Sequence, residues 1–543
     1  MRGPKKSRKA ASRKDLFAVI GIFVYLCSLI FRILLQFIIG EKGIGYFSIA
    51  SEIYFLSGCV LATGLSEAVT VLVRFRIRRE QFKNADRVLR GALLLGLITG
   101  GVLALSLFSG GWAFAKNTVR MPLAGLSLSF IAPAVIFQML TGAFRGYFQG
   151  NGTRIPTTHS RMLEMLFLMI GGLIGAKTLY GYGQKVAALR QNADYAAAYG
   201  AMGAGIGILT ASVLAFFHML LLFAMYHRNA KRQLLRDIQK TQDGVGHILY
   251  LLLRGWVPYG LYQALYYGIV LLDACFFMRM AKAADAVALW GRYYGRYMVF
   301  VGLAGGLLSF AWLEPVRKIT ALMEHEEYRP ARDRMEIVIH QTAMLSIPVA
   351  VFLAVFSENL LNLIFKGNNA DSVSYLIWGG AAVALHVFSG LFSYVLLRLR
   401  RMKYVIVCEA AALLVHIALL LVLLGNTKLS VTAVIIGNLV FLGILAAAEF
   451  AILSRLIQYR PKRMKEMAFL IVDAGIAGLV AMLLNKGIAS FAGTTISLVI
   501  SLPLGIILYA VLMIVTRAVS RQELEDTMAG GILIRLGSWM HFM

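Results

Sequence analysis

The chain is expected to be an all-α polytopic membrane protein of about fourteen transmembrane helices, and three observations predict it. Of 543 residues, 59% are hydrophobic and only 15% charged, and the mean hydropathy of +0.73 lies outside the range of ordinary soluble domains. Apolar runs of about 20 residues, enough to cross a bilayer core at roughly 1.5 Å per residue, recur along the whole sequence. Lys and Arg crowd onto alternate connections between those runs, the pattern that cytoplasmic loops impose.

A basic tail, 1–15, precedes an apolar run that is too long for a signal-peptide core and has no small-residue cleavage site, so the tail is expected to be retained. A first lobe, 16–226, holds six runs, at 16–39, 46–73, 91–114, 121–144, 157–176 and 196–226. A polar linker, 227–247, leads to a second lobe, 248–454, with runs at 248–278, 286–313, 337–365, 373–397, 404–424 and 430–454. Two further runs lie within 467–516, at 467–485 and 491–516, and a tail, 517–543, ends the chain. Six is even, so the second lobe enters the bilayer from the same side as the first.

Sidedness follows from charge. With the N-terminus inside, 39 of the 54 Lys and Arg fall on inner segments, Arg161 at the inner end of the fifth run counted among them, 11 fall on outer loops, and the remaining Arg32, Arg254, Arg292 and Arg296 lie within runs. Both termini are therefore expected in the cytoplasm, and the net charge of +27 sets topology and contacts membrane lipids rather than nucleic acid. The outer loops are too short to fold as a catalytic domain. Cys27, Cys59, Cys275 and Cys408 lie in apolar runs without metal-ligand spacing, and His218, His386 and His416 stand singly, so neither a metal nor a resident cofactor is expected.

The charges within the runs form two layers. In the outer half are Arg32, Glu52, Asp273, Arg292, Arg296 and Glu358; in the inner half are Glu67, Glu164, Arg254, Glu409, Glu449 and Asp473, read as structural. An arginine at membrane depth costs about 2.5 to 3.5 kcal/mol on insertion scales, which marks Arg32 as a functional candidate. Arg292 and Arg296 are four residues apart on one helical face, amid Tyr293, Tyr294 and Tyr297. Guanidinium forks match phosphate oxygens, so Arg32, Arg292 and Arg296 are candidates for binding a diphosphate. Permanent ion pairs with Glu52 and Asp273 are the competing arrangement. Gly255, Pro258 and Gly260 predict a hinge in the seventh run.

Between the fourth and fifth runs stands Arg145-Gly-Tyr-Phe-Gln-Gly150, then Pro156 and Thr157. Elsewhere are Arg32 followed by Gly40, Gly43, Gly45 and Tyr46, the segment 84–90, and the small-residue stretch 199–205. With these features the chain resembles the polysaccharide-biosynthesis branch of the multidrug/oligosaccharidyl-lipid/polysaccharide flippase superfamily, which includes SpoVB-like and MurJ-like proteins. The resemblance implies two six-helix lobes around a central cavity plus two C-terminal helices. It implies alternating access that moves an undecaprenyl-diphosphate-linked sugar, such as lipid II or a polysaccharide repeat unit, from the inner to the outer leaflet of the bacterial plasma membrane. It also casts Arg32, Arg292 and Arg296 as cavity residues and Arg145, Gly146, Gln149, Gly150 and Pro156 as a family signature at a gating loop. Glu52, Asp273 and Glu358 become cavity counter-charges, and Asp273 or Glu358 a site for a coupling H+ or Na+. A cation-coupled drug exporter of the same superfamily ranks second, because its cavity needs a lone carboxylate. A membrane-embedded glycan polymerase or ligase ranks last, because no loop offers an acid or base beside an acceptor.

Overall fold

The computed structural model describes residues 19–226, 237, 242–281, 283, 285–425, 429–520, 523–524 and 531, together with the helical backbone of 4–18 and 227–234. Among the described residues there is no strand. Among the described residues twelve helices are long and apolar enough to cross a bilayer, and a thirteenth is the pair Val245–Tyr267 and Ile269–Met280, bent by 41°.

The fourteenth lies inside the longest helix. Val19–Arg78 runs for 60 residues, which as a straight rod would be about 90 Å, or three bilayer cores. It is not straight. Gly40 takes φ 70°, ψ −177°, a region open essentially to glycine alone. The rings of Phe31 and Phe47 lie 6.2 Å apart, whereas a straight helix would separate them by roughly 24 Å. The chain therefore doubles back at Gly40, and the expected fourteen crossings are present.

We number them α1 (19–40), α2 (41–78), α3 (Phe82–Val119), α4 (Pro122–Gly150), α5 (Ile155–Arg190), α6 (Asp194–Leu234), α7 (245–280), α8 (Ala286–Glu324), α9 (Tyr328–Val355), α10 (Ala370–Arg398), α11 (Met402–Leu424), α12 (Val431–Leu456), α13 (Met464–Ala492) and α14 (Thr494–Val515). Inner and outer denote helix ends on, and opposite, the Lys/Arg-rich side. Two of the helices carry an internal π-helical turn, Gly58–Thr63 in α2 and Tyr293–Tyr297 in α8.

Two compact units form, one of 1–295 with 424–430 and the other of 296–423 with 431–543. The division falls inside the π turn of α8; of the expected linker 227–247, residues 235, 236 and 238–241 lie outside the described residues. In the first unit α7 packs along α2: Trp256 Nε1 donates to the Val60 carbonyl at 2.8 Å, and the indole covers Gly64. Glycines bring the other helices together. Gly142, Gly146 and Gly150 of α4 lie against Ala62, Ser66 and Val73 of α2, and a Cβ on any of them would collide, the small-residue packing that membranes favour where lipid supplies no hydrophobic drive.

In the second unit α13 and α14 bury Leu470, Ala474, Ala477, Tyr509 and Met513 against Ala343, Met344 and Phe352 of α9. Glu523, just beyond α14 and 0% exposed, ties that end to α9 and α13. Its carboxylate lies 3.0 Å from His340 Nδ1 and accepts from Arg463 Nη1 at 2.5 Å and from the Ser520 backbone N–H at 2.8 Å. Burial by itself would raise this carboxyl, but the hydrogen bonds and charge of His340 and Ser520 outweigh it and draw the pKa down to about 2. A depressed carboxylate contributes stability that is complete above the ordinary pKa and lost as the pH falls toward the folded value. Glu523→Gln is thus expected to cost on the order of 3 kcal/mol at pH 7, with the gap to wild type narrowing as pH drops from 4.5 toward 2. Thermal unfolding of both proteins across that range checks it.

Candidate substrate-contact residues at the α1–α2 turn and α8

The turn at Gly40 is clasped by the outer end of α8. Two glycines permit the approach: a Cβ on Gly45 would strike the Val287 carbonyl, and one on Gly291 would strike the Glu41 carbonyl. Polar bonds then hold it. Trp290 Nε1 donates to Ser48 Oγ at 2.9 Å, and Arg292 Nε donates to Glu41 Oε2 at 2.6 Å. Lys42 Nζ reaches Asp194 at 2.9 Å and Asp285 at 3.4 Å, which adds the start of α6 to the cluster.

Next to this clasp, roughly 12 Å from Gly40 along α1, three residues meet. The Tyr294 hydroxyl donates to Glu52 Oε1 at 2.6 Å and lies 3.3 Å from Ser51 Oγ. The Arg32 guanidinium lies over the Tyr294 ring, 4.7 Å from its centroid. Glu52 and Arg32 feel each other's charge, but the hydrogen bonding of Glu52 goes to the tyrosine. Arg32 is half-buried, and among the described residues none accepts a hydrogen bond from it. Stacking occupies the flat face of a guanidinium and leaves its five in-plane N–H groups directed outward.

The other expected site residues fall elsewhere. Arg292 belongs to the clasp through Glu41. Arg296, four residues on, belongs to the second unit: its Nη1 donates to Asn369 Oδ1 at 2.8 Å and Ser372 Oγ at 3.2 Å, over the Phe365 ring. The two arginines expected to act as a pair are thus each claimed by different neighbours, as like charges at membrane depth must be. Asp273 is fully buried in the outer half of α7. Glu358 is not in a span: α9 ends at Val355, short of the expected 365, because the helix breaks at Phe356, and Glu358 is exposed in the first turn of a short helix, Ser357–Ile364.

The hinge also moves. α7 runs unbroken through Gly255, Pro258 and Gly260, and the 41° bend comes at Gly268. Gly255 and Gly260 instead let α7 close onto Ala68 and Val60 of α2. The Arg145 signature has a packing role. Arg145 Nη2 donates to Ser160 Oγ at 2.8 Å and Glu164 Oε2 at 2.6 Å, and Gln149 Nε2 to Thr157 Oγ1 at 3.3 Å, while Gly146 and Gly150 face α2 and Pro156 opens α5. The motif joins α2, α4 and α5. Sequence reasoning passed over Glu41, whose one signal was an acid–base pair, Glu41-Lys42, placed directly after a span-ending glycine.

This architecture has relatives. The family model MatE matches residues 17–174. Stage V sporulation protein B of Bacillus subtilis (strain 168) is 22% identical over 525 residues, covering 95% of this chain and 97% of that protein. The lipid II flippase MurJ in an inward closed conformation shares the fold with a TM-score of 0.65 at 15% identity, over 92% of this chain and 98% of that one. An inward-facing multidrug resistance MATE family transporter of the MOP superfamily aligns with a TM-score of 0.62 at 14% identity, over 81% of this chain and 98% of that one. Over nearly its whole length the chain is thus similar to the stage V sporulation protein, and it shares the fold of the MurJ flippase and of MATE family transporters.

Proposed function

We propose that the protein moves an undecaprenyl-diphosphate-linked sugar from the inner to the outer leaflet of the bacterial plasma membrane by alternating access, with both termini in the cytoplasm. The observation that carries this reading is Arg32. A cation at membrane depth whose donors no described residue takes calls for an anion, and a diphosphate supplies oxygens spaced for its fork. Its nearest acid, Glu52, is engaged by Tyr294, so the cation rather than the carboxylate is left open. That polarity argues against the cation-exporting alternative, which needs the reverse.

The ion pairs of Glu41, Arg292, Lys42, Asp194 and Asp285 lie on the outer side of Arg32 within its own unit. Release outward would break these exposed or half-exposed pairs, each worth only about 0.2 to 1 kcal/mol. The membrane potential contributes about 2.3 kcal/mol per charge per 100 mV toward exit of an anion. Asp273, buried in the bent half of α7, is the residue we assign to a coupling H+ or Na+.

Depletion of the protein is expected to make undecaprenyl-diphosphate-linked sugars accumulate on the inner leaflet, measured by extraction and mass spectrometry of lipid-linked species. Unchanged levels of all such species would remove the reading.

A further inference from the structure

A second basic cluster occupies the inner half of the first unit. α5 opens after Arg154 and carries Ser160, Arg161 and Glu164 in its first turns. Both oxygens of Glu164 are committed, Oε2 to Arg145 at 2.6 Å and Oε1 to the Tyr54 hydroxyl at 2.9 Å, and Ser160 accepts from Arg145. Arg161, between them, is exposed and makes no hydrogen bond or ion pair among the described residues. Its charge neighbours are Arg145 on α4, Glu164 on its own helix, Glu67 on α2 and Tyr259 on α7. These groups stand on α2, α4, α5 and α7, and the region of the inner half where they act on Arg161 is here called the recess.

Charge in this recess does not balance. Glu67, also exposed and without a hydrogen bond among the described residues, has Arg154, Arg161 and Arg74 as its charge neighbours. The Arg145–Glu164 pair is neutral, which leaves three arginines against one carboxylate. They form two rows: Arg154, at the cap of α5, to Arg161 and Arg74 to Glu67 on α2 each span seven residues, roughly 10 Å inward from the basic side.

α2 also connects this recess with the Arg32 site. Glu52, Cys59, Glu67 and Arg74 are spaced seven, eight and seven residues apart. The π turn Gly58–Thr63 absorbs the extra residue of the middle interval, which keeps all four on one face. Cys59 has both Glu52 and Arg161 as charge neighbours, so one polar stripe runs from the recess to the outer cluster.

We propose that Arg161 heads a loading site for a diphosphate ester, separate from Arg32 and one step earlier on the same track. This rests on the flippase reading. The ligand is recognised through its phosphates, whether carried by a membrane lipid or free in solution. Arg161 supplies the fork, Arg154 and Arg74 attract the anion at the mouth, and Glu67 holds Arg161 until the ligand displaces it.

The full-length protein in nanodiscs, titrated with farnesyl diphosphate and with inorganic diphosphate and read by native mass spectrometry, tests this. Farnesyl diphosphate is expected to bind the wild type, Arg161→Ala to weaken it about tenfold or more, and Arg161→Lys to recover only part. Glu67→Gln is expected to tighten binding several-fold by removing the competitor, an effect a structural role would not produce. Arg190→Ala, at the far end of α5, serves as the control. A preference for farnesyl over inorganic diphosphate identifies a lipid headgroup as the source; equal binding identifies a free anion. Wild-type affinity in Arg161→Ala, or weaker binding in Glu67→Gln, overturns the loading site and leaves the flippase reading intact. Failure of the wild type to bind either diphosphate overturns both.

Discussion

Arg32→Ala is expected to lower the appearance of lipid-linked sugar at the outer leaflet by roughly tenfold to a hundredfold, the loss of one charge-assisted, bidentate phosphate contact of about 1.5 to 3 kcal/mol. Lysine at this position is expected to restore little, since an ammonium offers a point charge and neither the fork nor a flat face for the Tyr294 ring. The same substitution separates binding from architecture. If Arg32 were a structural ion pair, its removal would strand a buried carboxylate and destabilise the fold by about 3 to 5 kcal/mol. Glu52 is already bonded to Tyr294, so Arg32→Ala is expected to leave the melting temperature unchanged or raise it as a costly buried charge is removed. Outer-leaflet labelling of the lipid-linked sugar, paired with a thermal melt, reads both. Full transport in Arg32→Ala, or lost transport together with lost stability, would refute the binding role.

Gly203→Leu is expected to prevent the first unit from assembling, and Gly203→Ala to destabilise it by about 1 to 3 kcal/mol or more. α5 and α6 meet backbone to backbone: a Cβ on Gly203 would land inside the Gly175 carbonyl group, and one on Gly207 against Gly172. A clash with a flexible side chain resolves by a rotamer change, but a clash with backbone resolves only if the helices part, and parting them opens the interface over several turns. Gly101→Ala, where nothing lies within 4 Å of the added methyl, is the matched control and is expected to be neutral or slightly stabilising. Yield and melting temperature of detergent-solubilised protein, followed by size-exclusion chromatography, check both. A Gly203→Leu variant as stable as wild type would mean that α5 and α6 are not packed in this way.

Much of this was legible in the residues because a bilayer imposes simple rules. Hydrocarbon tolerates no unsatisfied backbone, so run length counts helices, and Lys and Arg mark their inner ends. The count came out even where the longest helix concealed a turn, since Gly40 is the residue that can make one. The depth of Arg32, Glu52 and Tyr294 also follows from sequence, as distance from a span end.

Sequence could not say which neighbours would meet at that depth. Helical periodicity places a side chain at a height and on a face, whereas its partner comes from another helix whose approach is decided by glycines hundreds of residues away. Gly45 and Gly291 bring Glu41 to Arg292, a partner that spacing along the chain does not reveal. The bend of α7 at Gly268 rather than near Pro258 has the same origin, because Gly255 and Gly260 are occupied in packing against α2. By itself the sequence determined the membrane fold and the position of Arg32 along its span. Only the tertiary structure decided that Glu52 is bonded to Tyr294 and Arg32 is not, because hydrogen bonds depend on ångström-scale distances that close packing sets.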